Sequence, residues 1–389
     1  MESDVVVVGA GPAGLAAAAA ARSGGLQVQV LEAASSVATS WRTHYDRLHL
    51  HTTRGLSGLP GLPIPRRAGR WVSRDDFIAY IESYARVNQL PIRFDTTVER
   101  VDREDGLWHV VTNTNSLRPP LVVIATGYSR TPLIPDWPGR ESFTGDLVHS
   151  SRYRNPEAYR GRSVLVVGAG NSGAEIAADL VEGGAGKVWI SIRTPPNIVR
   201  RNFGPIANQY VGIAVHRLPV AFVDRVGLAL QKVTVGDLSD FGIRAPAKGV
   251  YTRILEERIP LIDVGFLAHL KRRQIEVVGA VERFTADEVL CGGRVVRPHA
   301  VIVATGFSRG LEQVVGHLGV LGPTGRPAVH APRAAAPGLY FIGYTNPIVG
   351  NLFEVSRVAV KLAGVIAREL RTQSGVSTGD TSSSIRRGT

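Results

Sequence analysis

Two sets of glycines carry the chemistry that can be read directly from this chain. Gly9-Ala10-Gly11-Pro12-Ala13-Gly14 has the spacing G-x-G-x-x-G, and Gly168-Ala169-Gly170-Asn171-Ser172-Gly173 repeats it. In that spacing the first glycine makes a tight turn and the second lets backbone approach a pyrophosphate. The third lets a helix pack close against a strand. The residues downstream decide which dinucleotide each set would hold. Glu32 ends the alternating run from Gln27 to Leu31, where a carboxylate accepts both hydroxyls of an adenosine ribose. In the second unit Ser191 and Arg193 stand at that place; an acid would repel a 2′-phosphate, whereas serine and arginine bind one. The first site therefore reads as FAD and the second as NADPH, with Arg200 a further phosphate candidate.

Each glycine set needs a strand before it and a helix after it, and both are present twice. Val5 to Val8 is four consecutive valines, the pattern of a strand buried on both faces of a parallel sheet, and an alanine-rich helical run follows Gly14. The helix start turns unpaired N–H groups and positive dipole toward phosphate. Ser163 to Val167, the helix Ala174 to Glu182 and the strand Lys187 to Ile192 repeat the unit. Two more buried strands end in one tripeptide: LVVIATG from Leu121 to Gly127, and HAVIVATG from His299 to Gly306. Ala125, Thr126 and Gly127, then Thr305 and Gly306, fall at those turns. They join the expected cofactor-binding set with Val98, Gly343, Pro12, Ala13, Ala33, Asn171 and Ser172.

Between these units Ser73 caps an amphipathic helix to about Asn88. Ile92 to Phe94, Thr97 to Arg103 and Trp108 to Thr112 read as strands of a small sheet. Pro195 to about Pro260 lacks the strand–helix rhythm; it suggests two or three helices broken at Pro219, forming walls of a substrate channel. The strand Gly338 to Gly343 returns to the first domain, and a long helix starts at Asn351 and runs to about Leu370. The expected fold is α/β, with two Rossmann-like dinucleotide-binding domains. The NADPH domain (159–296) is inserted into a discontinuous FAD domain (1–158 and 297–371), and 372–389 is a disordered tail.

A length of 389 residues fits two domains. The net charge of +12 comes largely from arginines scattered along the chain, in nothing longer than pairs such as Arg66-Arg67 and Arg200-Arg201. That distribution suits steering of anionic cofactor and substrate better than nucleic-acid binding. Cys291 is the only cysteine, which excludes an intrachain disulfide, a redox-active cysteine pair and a thiolate metal cluster; no metal is expected. The apolar start carries Glu2 and Asp4 and no basic region, so it does not read as a signal peptide. No uninterrupted apolar run reaches about 20 residues, so no membrane span is expected. A cytoplasmic enzyme is the expectation, as monomer or homodimer.

Just before the second glycine set lies Phe143-Thr144-Gly145-Asp146-Leu147-Val148-His149-Ser150-Ser151-Arg152-Tyr153, or F-x-G-x-x-x-H-x-x-x-Y. It resembles the fingerprint of class B flavin-dependent monooxygenases. With both glycine sets and both ATG turns, the likeness covers roughly residues 4 to 370. Within that class the chain resembles the flavin-containing monooxygenases, and among them the YUCCA-like enzymes. Tyr45-Asp46-Arg47-Leu48-His49-Leu50-His51, Phe241 to Pro246 and Pro260 to Gly265 carry this narrower likeness. There are departures. Tyr153 replaces the tryptophan usual in Baeyer–Villiger enzymes, and His51 stands where flavin-containing monooxygenases have an asparagine. Tyr344 replaces the acid of the disulfide reductases, and Thr345 to Leu352 differs from the plant YUCCA segment.

The resemblance implies an FAD- and NADPH-dependent monooxygenase. Reduced flavin would add O2 at C4a, and the hydroperoxide would pass one oxygen atom to a small organic molecule. The reaction would be N- or S-oxygenation, or oxidative decarboxylation of a 2-oxo acid. The alternatives are an NADPH oxidase or reductase without oxygen transfer, and a Baeyer–Villiger enzyme. By the same likeness Trp41, Arg42, His49 and His51 line the isoalloxazine side. Asn351 and Leu352, at a helix N-terminus, direct N–H groups at the flavin's N1–C2 edge. His51 and Asn351 are the residues expected nearest the reaction, and His149 is expected to order the linker rather than transfer protons.

Overall fold

The computed structural model describes residues 3–256 and 258–373. The valine run is strand β1 (Val5–Val8), fully buried, followed by helix α1 (Pro12–Ser23) and strand β2 (Val28–Leu31). Val5 lies opposite Val28 and Val8 opposite Leu31, in parallel. Helix α2 (Arg74–Val87) starts at Ser73, whose hydroxyl accepts the Asp76 N–H at 3.1 Å, satisfying one of the free donors of the first turn. Strand β3 (Ile92–Arg93) then pairs with β2, and β4 (Leu121–Ile124) pairs with the other side of β1.

β3 departs from expectation. Ile92 to Phe94 reads locally as part of the small sheet, yet Ile92 pairs with Val30 at the edge of the main sheet. The small antiparallel sheet is made by Val98–Glu104, Leu107–Thr112 and Ser116–Leu117. Two residues of strand carry no pattern that says which sheet they will join.

The second sheet follows the plan of the first. Strand β5 (Asp146–His149) leads to β6 (Ser163–Val167), helix α3 (Asn171–Glu182) and β7 (Lys187–Ser191). Helices α4 (Asn208–Val215) and α5 (Val220–Thr234) break at Pro219 as expected, before β8 (Ile275–Val278) and β9 (Ala300–Val303). The strand order is β8-β7-β6-β9-β5, all parallel. The chain then returns to the first sheet with β10 (Leu339–Phe341), giving the order β10-β4-β1-β2-β3, also all parallel. In both sheets the strand leading into a glycine loop is central, between the strand after its helix and the strand ending in ATG. Parallel sheets bind ligands at the carboxyl ends of such strands.

Helix α6 (Asn351–Gln373) closes the described chain and packs on α1. Val355, Ala359, Leu362 and Ile366 form its buried stripe, in one core with Leu15, Ala16 and Ala19 of α1. The alanines of α1 allow this close approach. Thr372 and Gln373 continue the helix where a tail was expected; the rest of that segment lies outside the described residues. Helix α5 buries none of its residues, and Phe222, Val226 and Val233 are exposed, so it is not a channel wall. Within 195–260 the walls of the cavity come from Pro195 to Asn197 and from Arg253, Ile254, Arg258 and Ile259.

Candidate functional site

The two glycine loops open onto one cavity of about 1130 Å³. Gly9, Gly11, Pro12, Ala13, Glu32, Ala33, Val98, Ala125, Thr126, Gly127 and Gly343 line one part. Gly168, Gly170, Asn171, Ser172, Ser191, Arg193, Thr305 and Gly306 line another, and Trp41, His49, His51, Asn351 and Leu352 lie on the same wall. The expected site residues are thus brought together, with four exceptions.

Gly14 and Gly173 lie beneath their loops. A Cβ on Gly14 would stand 1.9 Å from the Gly9 carbonyl oxygen, and one on Gly173 would stand 1.9 Å from that of Gly168. These glycines seat helix against strand. Arg42 and Arg200 also stay off the cavity wall. Arg42 Nε donates to the Val37 carbonyl at 3.1 Å and its guanidinium pairs with Glu82, while Arg200 Nε donates to the Thr234 carbonyl at 3.0 Å.

The middle glycines behave differently. Gly11 and Gly170 have ordinary extended backbone, with φ of −79° and −80°, and a Cβ on either would meet no atom within 4 Å. The fold therefore makes no demand for glycine there, and what a side chain would fill is the space in front of a helix N-terminus. That is the cradle a pyrophosphate needs. The residues present fit a dinucleotide at each loop.

Glu32 serves the loop as well as facing the cavity. Its two carboxylate oxygens accept the backbone N–H groups of Ala10 at 2.7 Å and Ala34 at 3.0 Å. Ser191 is almost fully buried and donates to the Gly279 carbonyl at 2.7 Å, which leaves Arg193, exposed on the wall beside Thr194, as the phosphate-facing group. Asn171 accepts the Ile262 N–H at 2.7 Å, fastening the Pro260 to Gly265 stretch to the second loop. Asn351 donates from Nδ2 to the Thr345 carbonyl at 2.6 Å, closing the loop in front of α6. Tyr344 also finds its use here: its hydroxyl bonds the Thr126 hydroxyl at 2.7 Å and accepts the Thr126 N–H at 3.2 Å, tying the end of β10 to the first ATG turn.

His149 has no free nitrogen. Nε2 lies 3.0 Å from the Gly306 carbonyl, which can only accept, so Nε2 carries the proton and Nδ1 accepts the Ser151 N–H at 3.1 Å. The ring joins the end of β5 to the second ATG turn. Tyr153 is buried and donates to Asp179 of α3 at 2.7 Å; Arg47 reaches Glu182 of the same helix at 2.9 Å.

Several cavity residues carry no sequence signal of their own, among them Thr43, His44, Thr96 and Asn346. Among the described residues, Arg130, Arg193, Arg253, Arg258, Arg309 and Arg326 also line the cavity, against one carboxylate, Glu32. Basic residues are no denser in this lining than in the chain as a whole; its positive balance comes from the scarcity of acids among the described lining residues, and its arginines are drawn from distant segments where they look ordinary in sequence.

Burial lowers the His44 pKa to about 4 and pushes those of His149 and His330 below the ordinary histidine value. The unfolded chain therefore binds more protons than the folded one between about pH 4 and about 6.5, so stability is complete above that window and falls as pH drops through it. For His44 the loss is on the order of 3 kcal/mol across the window. Thermal unfolding between pH 4.5 and 7.5 is expected to show the melting temperature falling with acidification. A His44→Gln variant is expected to show a shallower slope.

The family described as pyridine nucleotide-disulphide oxidoreductase matches residues 6–202. The indole-3-pyruvate monooxygenase YUCCA1 of Oryza sativa subsp. japonica is 37% identical over 351 residues, covering 88% of this chain and 86% of the relative. The probable indole-3-pyruvate monooxygenase YUCCA4 of Arabidopsis thaliana is 32% identical, covering 91% and 88%. Among solved structures, the flavin-containing monooxygenase from Stenotrophomonas maltophilia superposes with a TM-score of 0.70 at 25% identity, covering 95% of this chain and 100% of that one. A steroid monooxygenase bound to NADP shares the fold, with a TM-score of 0.72 at 20% identity, covering 96% and 87%.

Proposed function

This chain belongs to the FAD- and NADPH-dependent flavin monooxygenases related to the YUCCA enzymes, and from that premise we propose that its substrate is a small 2-oxo acid, oxidatively decarboxylated at the cavity between the two glycine loops. The carrying observation is the charge of the lining: among the described residues, six arginines stand against one carboxylate, with Arg253 also paired to Glu256 at 3.6 Å. Such a wall attracts a carboxylate substrate and disfavours a protonated amine. Arg253 and Arg258 alternate with Ile254 and Ile259 on the cavity side, a pairing of cation and apolar surface suited to an organic acid with a hydrophobic tail. The relatives named for indole-3-pyruvate act on a compound of that class.

In this reading the first domain segments, 1–158 and 297–371, hold FAD, and the inserted segment 159–296 holds NADPH. Gly9, Gly11 and the start of α1 receive the FAD pyrophosphate, and Glu32 the ribose. Gly168, Gly170 and the start of α3 receive that of NADPH, and Arg193 its 2′-phosphate. Bound FAD supplies hydride acceptance and activation of O2. Trp41, His51, Asn351 and Leu352 shape the chamber and keep water from it. The N-terminal N–H groups of α6, beside Asn351 and Leu352, favour negative charge in front of them. Summed over the reaction, the 2-oxo acid, O2, NADPH and one proton give the shortened carboxylate, carbon dioxide, NADP⁺ and water. One oxygen atom ends in the product and the other in water.

The test is to reduce the purified protein with NADPH without oxygen, then mix it with O2 and follow the flavin spectrum. A transient distinct from both the oxidised and reduced spectra supports oxygen transfer. Immediate reoxidation with stoichiometric peroxide, in the presence of every substrate tried, favours an oxidase. Turnover with 2-oxo acids, amines and sulfides then decides the class: one carbon dioxide per NADPH with a 2-oxo acid is expected. Coupled oxidation of amines or sulfides alone would replace this substrate assignment.

A further inference from the structure

Helix α3, which follows the second glycine loop, carries one acid on its inner face. Glu175 is 4% exposed, among Gly173, Ala174, Ile176 and Ala177, which are likewise buried. A carboxylate so placed is costly unless something answers its charge. The groups around it come from outside its helix. His51 Nε2 lies 3.0 Å from Glu175 Oε1. The Tyr45 hydroxyl lies near Ser172 and Glu175, and its ionisation is opposed first by burial and then by that carboxylate. His44 and Arg201 also feel its charge. Farther along α3, Asp179 and Glu182 are engaged by Tyr153 and Arg47 and do not compete for it.

Two features show that this pair is more than packing. His51 Nδ1 and Glu175 Oε1 are both buried and lack an aligned hydrogen-bond partner within the protein, so the 3.0 Å contact leaves each atom with capacity for a further group. And His51, Tyr45 and Ser172 all line the cavity, so the carboxylate sits directly behind its wall.

We propose that Glu175 is a positioning residue for His51: from the helix of the second cofactor loop it holds the His51 ring at Nε2, fixing the orientation this ring presents to the cavity. The contact is a close electrostatic one, so it restrains where the ring sits from behind the wall rather than through the ligand in front. Because His51 belongs to the segment after β2 and Glu175 to α3, the same contact makes the environment at the first cofactor depend on the placement of the second unit. The inference rests on the placement of FAD and NADPH proposed above.

The test uses purified protein carrying FAD. The visible spectrum of the bound flavin and the dissociation constant of NADP⁺ are measured between pH 6 and 8.5 for the wild type, Glu175→Gln, His51→Gln and the double variant. Each single change is expected to weaken NADP⁺ binding roughly three- to tenfold and to shift the flavin band, with the double variant no worse than the poorer single. Additive effects overturn the proposal, as does a Glu175→Gln protein indistinguishable from wild type. If Glu175→Gln loses its flavin, Glu175→Asp and His51→Gln decide. A wild-type flavin band and NADP⁺ affinity kept in Glu175→Asp and changed in His51→Gln support the pair, and a wild-type band and affinity in His51→Gln overturn it. Wild-type protein that holds no FAD would instead overturn the cofactor placement, so the two failures are distinct.

Discussion

A Gly11→Val variant is expected to purify as a folded protein without FAD, whereas Gly14→Ala is expected to lose both the flavin and much of its stability. The two positions differ in what surrounds them. At Gly11 the backbone is one any residue adopts, and nothing stands within 4 Å of the added Cβ. The valine side chain therefore fills only the ligand's space, and FAD affinity is expected to fall by at least about two orders of magnitude, from loss of the N–H contacts at the helix start. At Gly14 the added methyl meets the Gly9 carbonyl oxygen at 1.9 Å, a backbone atom that cannot swing away. Helix α1 must move off β1, a strain of about 1–3 kcal/mol, which lowers the melting temperature by several degrees and misaligns the loop. The ratio of flavin to protein absorbance and a thermal melt on each variant read both effects. Full flavin content in Gly11→Val would show that the dinucleotide does not lie on this loop.

Arg193→Ala is expected to raise the KM for NADPH roughly 10- to 100-fold while leaving that for NADH nearly unchanged. The difference between the two coenzymes is the 2′-phosphate, and a charge-assisted hydrogen bond to it contributes about 1.5–3 kcal/mol. Arg193 is exposed on the cavity wall and has no shared task, unlike Ser191, whose hydroxyl is held by the Gly279 carbonyl. The maximal rate with saturating NADPH is expected to change little, since the phosphate lies far along the coenzyme from the transferred hydride. Steady-state kinetics with both coenzymes measure this. An unchanged NADPH-to-NADH preference would move the phosphate site to another arginine of the wall, with Arg253 and Arg258 the first to substitute.

Much of the fold was legible because its signals are local. A run of four valines, three glycines at fixed spacing and a small-residue helix specify a strand–loop–helix wherever they occur, and here they occur twice. The long helix from Asn351 and the cap at Ser73 were readable for the same reason. So were the cofactor loops, whose backbone is the binding group and whose glycines record it. Pairing across sequence is not local: Ile92 and Arg93 are too few to show that they join β2.

The sequence by itself determined the two glycine loops, the strands and helices on either side of them, and the family to which the chain belongs. Only the tertiary structure decided which side chains meet. It placed Arg42 and Arg200 away from the cavity, engaged the Ser191 hydroxyl internally and brought six arginines from separate segments into the lining of one cavity. It also set Glu175 against His51, across a separation of more than a hundred residues. The physical reason is that a backbone motif carries its geometry within a few neighbouring residues, whereas a side-chain constellation depends on where distant segments are brought by the packing of two sheets.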